Sequence, residues 1–378
     1  MFSKRNSILL VVFLMVVTLL AACGSNNSKP SSSGEASPSP TQTQAQTETP
    51  ANSASPEPSQ TGGEVNIYTA RHYDVDQELY DAFTKQTGIK VNVVEGKAPE
   101  LIERIKREGA STPADLFITV DGGILNTAKA EDVLQPIVSG VVDEQVPTEL
   151  RDTESHWIGL STRARVIVYA KDRVDPAQLS TYEDLAGDKW KGKVVVRSAT
   201  NLYNQSMLAA FIAIMGEKEA EDWAAGIAAN LAREPEGGDR DQAKAIVAGV
   251  GDVGIMNTYY VGQLATSQDA EEVKVAEQIG VFFPNQQTTG THINISGAGL
   301  IKHSKNKDNA VKLLEFLTGA EAQTKISQAN FEFPVNGQAE LPELLKSWGE
   351  FKIQNVDFAK YGELNPKAVE IANKVGWK

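Results

Sequence analysis

The chain has 378 residues, with 49 acidic against 36 basic side chains and a formal net charge of −13. That balance argues against nucleic acid as a partner, because phosphate backbones are held by an excess of Lys and Arg. The single cysteine excludes a disulfide framework and any Cys-based zinc or iron–sulfur site.

Residues 1–23 read MFSKRNSILLVVFLMVVTLLAAC. Lys4 and Arg5, an apolar run and small residues before Cys23 describe an export signal. The Leu20-Ala21-Ala22-Cys23 ending resembles a bacterial lipobox, which implies cleavage before Cys23 and a diacylglycerol on its sulfur. The alternative, an uncleaved anchor helix, likewise leaves the body exported and tethered to a membrane. Residues 24–63 are Ser, Thr, Pro, Gln and Glu with almost no large apolar side chain. Such a stretch buries too little surface to offset the entropy of ordering, so it is expected to be a disordered spacer. Anchor plus spacer fits a Gram-positive envelope better than a periplasm.

From residue 64 onward, strand-like runs alternate with helix-period segments, the signature of α/β lobes with mainly parallel sheets flanked by helices. VNIYTA (65–70) leads into DVDQELYDAFTKQTG; KVNVVEG, PELIERIKREG and DLFITV follow. WIGLSTRARVIVYAK (157–171) reads as two consecutive extended runs that cross between lobes. The helix NLYNQSMLAAFIAIMG and the segment ending GIMNTYY build a second lobe, and THINISGAGLIK carries the chain back. The expected division is lobe 1 at 64–165 plus about 288–340, lobe 2 at 166–287, and a helical tail at 341–378 packing on both. Extended crossings between two lobes make a hinged clamshell.

Three tyrosine-bearing segments share one kind of position, the junction where a strand ends and a helix begins: IYTARHY, VVVRSATNLY and GIMNTYY. Ligands of open parallel sheets bind outside the carboxyl ends of the strands. Asn201, and Asn257 or Thr258, are expected N-caps, which puts Tyr203, Tyr259 and Tyr260 in first helical turns. Tyr73 stands at the first junction, so four of the nine tyrosines occupy such sites. Ionising a phenol at pH 7 costs about 4 kcal/mol, which a highly charged cation can supply. Phenolate is a hard anionic donor suited to a trivalent metal. Four phenolates around Fe³⁺ leave one unit of negative charge, which a guanidinium such as Arg71 or Arg197 can balance; the bland alternative for each is a solvated arginine. With Fe²⁺ the imbalance doubles, so reduction or acid is expected to promote release. His72 is a candidate nitrogen ligand beside Tyr73, and His292 a hydrogen bonder on a crossing strand. Glu234 and Glu236 in REPEGGD read as a loop, and no HExxH, GxSxG or P-loop pattern gives catalysis a handle.

RHY (71–73), SATNLYNQS (198–206), REPEGGD (233–239), NTYY (257–260), FFPNQ (282–286) and GTHINISG (290–297) together resemble the ferric-iron-binding proteins of bacterial ABC importers, in particular their tyrosine-rich branch typical of cyanobacteria. The resemblance spans about 64–378. It implies a periplasmic-binding-protein-like clamshell, a monomer, which binds Fe³⁺ and hands it to an ABC transporter permease. Carried over by motif, the metal ligands fall on His72, Tyr73, Tyr203, Tyr259 and Tyr260. Relatives often carry arginine three positions after the tyrosine pair; Gln263 stands there instead, which leaves charge compensation open. Competing readings are a binder of a small organic solute such as a polyamine, thiamine or a phosphonate, and an exported enzyme on the same fold.

Overall fold

The computed structural model describes residues 62–378. The export segment, Cys23 and the spacer up to residue 61 lie outside the described residues. Among those described, no helix is long and apolar enough to cross a membrane.

The apolar runs become strands where each is bounded by a turn or a cap. β1 (Gly63–Thr69), β2 (Ile89–Glu95) and β3 (Leu116–Thr119) alternate with the Asp74–Thr87 and Ala98–Glu108 helices. The first of these helices buries Val75, Leu79 and Phe83, spaced four apart on one face, and places Asp74 and Asp76 in its positive first turn. It stops at Gly88, whose φ of 72° needs a residue without Cβ and whose N–H closes on the Thr84 carbonyl at 2.8 Å. β4 (Leu134–Gln135) and β5 (Trp157–Ala170) follow, then β6 (Val194–Val195), β7 (Val253–Asn257), β8 (Ile279–Phe282), β9 (Ile293–Ile301) and β10 (Phe333–Pro334).

In space the strands run β2-β1-β3-β9-β5-β7-β6, with β4 on β9 and both β8 and β10 on β5. The architecture is the expected two-lobed α/β clamshell. Among the named strands, parallel pairing joins β1 with β2 and β3, and β6 with β7. The strands that join the halves are antiparallel, because β5 carries the chain out and β9 carries it back. WIGLSTRARVIVYA is one continuous strand rather than two runs: a register shift between Gly159 and Ser161 bends its pairing with β9 without ending it, and nearly all of it is buried. Its partners change along its length: residues up to Ala164 pair with β9, and those from Arg165 pair with β7. The tail returns across the body. Its Ala359–Glu363 helix packs on both the Gly122–Ala130 and Leu202–Met215 helices, and its Asn365–Val375 helix packs on Leu202–Met215 and Glu217–Asn230.

His292 stands immediately before β9 and is completely buried. Its Nδ1 lies 3.1 Å from Gln354 Oε1, and its backbone N–H donates to Tyr182 Oη at 3.1 Å. Burial pushes its pKa down from 6.5 to about 3, against the opposing pull of Gln354. The unfolded chain therefore binds the proton first as pH falls. The stabilisation is complete above about pH 6.5 and is lost toward pH 3, at about 1.4 kcal/mol per pH unit. Urea denaturation between pH 7 and 5 is expected to show this loss, and His292→Gln is expected to flatten it.

Candidate metal centre

Three strand-to-helix junctions build the site. At the first, Tyr73 is the N-cap of the Asp74–Thr87 helix, but its side chain makes no capping bond. Beneath its ring lies the Arg71 guanidinium, 4.5 Å from the ring centroid. Arg71 is nearly inaccessible; its Nε donates to Asp76 at 2.9 Å and its Nη1 to Glu332 at 2.7 Å.

At the second junction Asn201 caps the Leu202–Met215 helix, accepting from the Tyr203 N–H at 3.0 Å. Tyr203 thus sits in the first turn, as expected. At the third, β7 ends at Asn257, and the Thr258–Ala265 helix carries Tyr259 and Tyr260 in its first turn. Asn257 occupies the cap position without capping. Its carbonyl oxygen accepts from Arg165 at 3.2 Å, and its amide donates to Tyr259 Oη at 3.4 Å.

The junctions converge. Tyr259 Oη donates to Tyr203 Oη at 3.2 Å, and the rings of Tyr259 and Tyr260 lie 4.3 Å apart between centroids. Burial, reinforced by the charges of Tyr203, Tyr73 and Tyr260, raises the Tyr259 pKa well above that of a free phenol. Burial and then Glu332 raise that of Tyr73, and burial and then Tyr203 raise that of Tyr260. Without a cation these three phenols remain protonated at neutral pH.

Two buried hubs of charge flank the tyrosines. In the first, Glu332 joins Arg71 to Ser161, whose hydroxyl donates to it at 3.0 Å. Burial alone would raise the Glu332 pKa, but Arg71 and Arg163 outweigh it and hold the group ionised. In the second, Asp239 is fully buried and accepts from Arg165 at 3.1 Å, from the Asn257 N–H at 2.8 Å and from Arg197 at 3.4 Å. Burial disfavours the Arg197 charge, yet Asp239, then Tyr260 and Tyr203, raise its pKa overall. Arg163 and Arg197 both approach the Tyr203 ring, at 5.6 and 5.5 Å from its centroid.

His72 stands apart in its contacts. Its half-exposed ring faces Glu95 at the end of β2, with Nδ1 3.4 Å from the carboxylate. It lines an open cavity of about 590 Å³ together with Glu95, Thr119 and Leu202, so this cavity adjoins two of the three junctions. Gln263 follows the pair on the same helix, half-buried. Asp152, Glu154 and His156 also approach one another elsewhere, but Lys129 already pairs with both carboxylates, at 2.8 and 2.6 Å.

A family model for bacterial extracellular solute-binding proteins matches residues 111–361. The chain belongs to this family. It is 46% identical over 315 residues to iron uptake protein A1 of Synechocystis, which covers 83% of this chain and 88% of that protein. The major ferric iron-binding protein of Neisseria meningitidis is 28% identical over 72% of this chain and 81% of its own. Among solved structures, the Trichodesmium protein FutA in complex with iron and citrate superposes with a TM-score of 0.80 at 50% identity, covering 83% of this chain and 100% of that one. The ferric binding protein from Campylobacter jejuni gives 0.78 at 44% identity, over 83% of this chain and 100% of its own. The family is one of solute-binding proteins, and these relatives are named for iron uptake or ferric-iron binding.

Sequence reasoning did not single out Arg163, Arg165, Asp239 or Glu332. A signal existed for the first two: arginines two apart in an otherwise apolar strand must both be buried on one face and need partners. Asp239 ends the REPEGGD loop but begins the Asp239–Val247 helix, where a carboxylate is favoured. Removing one partner of a buried ion pair leaves the other charge unpaired. Glu332→Ala removes one of the two carboxylates on Arg71 and leaves Asp76 in place, so it is expected to lower stability by about 1.5–3 kcal/mol, measured as a urea midpoint shift on metal-free protein.

Proposed function

We propose that this chain is an extracytoplasmic binding protein that captures ferric iron through the phenolic oxygens of Tyr73, Tyr203, Tyr259 and Tyr260. It then delivers the ion to an ABC transporter permease. The observation that carries this reading is the convergence of phenols, with Tyr259 Oη 3.2 Å from Tyr203 Oη and Tyr260 packed against Tyr259. An organic solute would use such rings as separated walls; a small trivalent cation uses their oxygens together. The relatives named for ferric iron point the same way.

Charge supports the trivalent state. Fe³⁺ with four phenolates carries one net negative charge. The flanking hubs set four guanidiniums, of Arg71, Arg163, Arg165 and Arg197, against the carboxylates of Asp76, Asp239 and Glu332, leaving one positive charge. Arg71 and Arg197 thereby act without touching the metal, and they stand in for the arginine absent at Gln263. His72 is assigned as a further ligand. Its exposed pairing with Glu95 is worth little in water, so coordination can displace it. The lobes divide near residue 165, and the body works as a monomer held to the membrane by a lipid on Cys23.

Metal-free protein titrated with ferric nitrilotriacetate is expected to develop a visible phenolate-to-iron charge-transfer band. Tyr259→Phe and Tyr260→Phe should each weaken both band and affinity. Protein that stays colourless and takes up no iron in calorimetry would sink the reading. Reducing the loaded protein with dithionite removes one unit of cation charge while the ligands stay the same. Iron is then expected to pass to a ferrous chelator faster than from the oxidised form.

A further inference from the structure

The residue after the Ala320–Asn330 helix is Phe331, and it adopts the left-handed conformation, with φ 58° and ψ 28°. That position normally belongs to glycine or asparagine, because a side chain there is strained. Strain of this kind persists where surrounding contacts over-determine it, and it concentrates at ligand clamps. Here two contacts do so. The Phe331 ring seats directly on Gly262; a Cβ built on that glycine would lie 2.1 Å from the ring's Cγ. Gly262 is in the helix that carries Tyr259 and Tyr260, and Phe331 shares a buried cluster with Tyr259. The next residue, Glu332, is the carboxylate that holds Arg71 beneath Tyr73. After it, β10 fixes the step to Ser161 and Thr162 of β5.

We infer that Phe331 and Glu332 form a positioning step: the ring sets the Tyr259–Tyr260 helix, the carboxylate sets Tyr73, and Gly262 is glycine so that the ring can seat. Neither residue reaches the metal. The left-handed turn sends the two adjacent side chains to different junctions, Phe331 to Gly262 and Glu332 to Arg71, which couples segments far apart in the chain. This rests on the iron-binding reading above.

Gly262→Ala gives a discriminating test, because alanine is the better helix former and should otherwise be benign. Wild type, Gly262→Ala, Phe331→Gly and the double variant are titrated with ferric nitrilotriacetate, following affinity and the position of the charge-transfer band. Urea denaturation of each metal-free protein reports stability separately. Each single variant is expected to lose about 10- to 100-fold in iron affinity, with a shifted band. The double variant should lose no more than Phe331→Gly alone, because glycine removes both the ring and the Phe331 Cβ, which would itself stand 2.5 Å from the new Cβ. Phe331→Tyr, which keeps the ring, is expected to retain wild-type affinity and supplies the comparison should Gly262→Ala fail to fold. Unchanged affinity and band in Phe331→Gly, or losses that simply multiply in the double variant, would overturn the inference. Failure of the wild type itself to show a band would instead remove the iron-binding reading on which it rests.

Discussion

Burial of charge at the strand ends is the constraint on which the rest of the site depends. Arg71 and Glu332 are both almost inaccessible to solvent, as are Arg165 and Asp239. Ions in such places are tolerated only when paired and hydrogen-bonded, so each pair fixes the geometry of whatever its members belong to. Arg71 belongs to the junction that carries Tyr73. Arg165 lies on the crossing strand β5, and Asp239 holds the backbone of Asn257 at the entrance to the tyrosine-pair helix. The tyrosines converge because the charges behind them leave their junctions little freedom.

The fold supplies the distances that those pairs close. β5 and β9 run antiparallel between the two groups of strands, and β5 changes partner between Ala164 and Arg165. Arg163 and Arg165 lie on either side of that change. One reaches the Tyr203 ring and the other Asp239, so the strand that joins the halves also carries cations to the ligand cluster. On the proposed reading, phenols kept protonated by burial would ionise only as a cation arrives.

The local part of this was legible in the sequence, and the long-range part was not. Asn201, and Asn257 or Thr258, were recognisable as cap positions, and either choice placed Tyr203, Tyr259 and Tyr260 in first turns, where the structure has them. The alternation of strands and helices gave the two-lobed α/β class. The mixed strand directions were less visible, since periodicity records that a segment is extended but not which neighbour it meets. Glu332 was invisible because its partner Arg71 lies 261 positions away, and the NFEFP context around it reads as an ordinary helix end. His72 neighbours Tyr73 in sequence, and its side chain faces Glu95, a pairing that the sequence order does not reveal.

The central claim is that iron in this protein is bound by tyrosinate oxygen. Resonance Raman spectroscopy of the iron-loaded protein, excited within the visible band, tests it most directly, because only ring modes of phenolates bonded to the metal are enhanced. The account predicts strong tyrosinate ring modes that shift on ring-deuterated tyrosine labelling and weaken in Tyr203→Phe. Iron-loaded protein that shows no tyrosinate modes would contradict it.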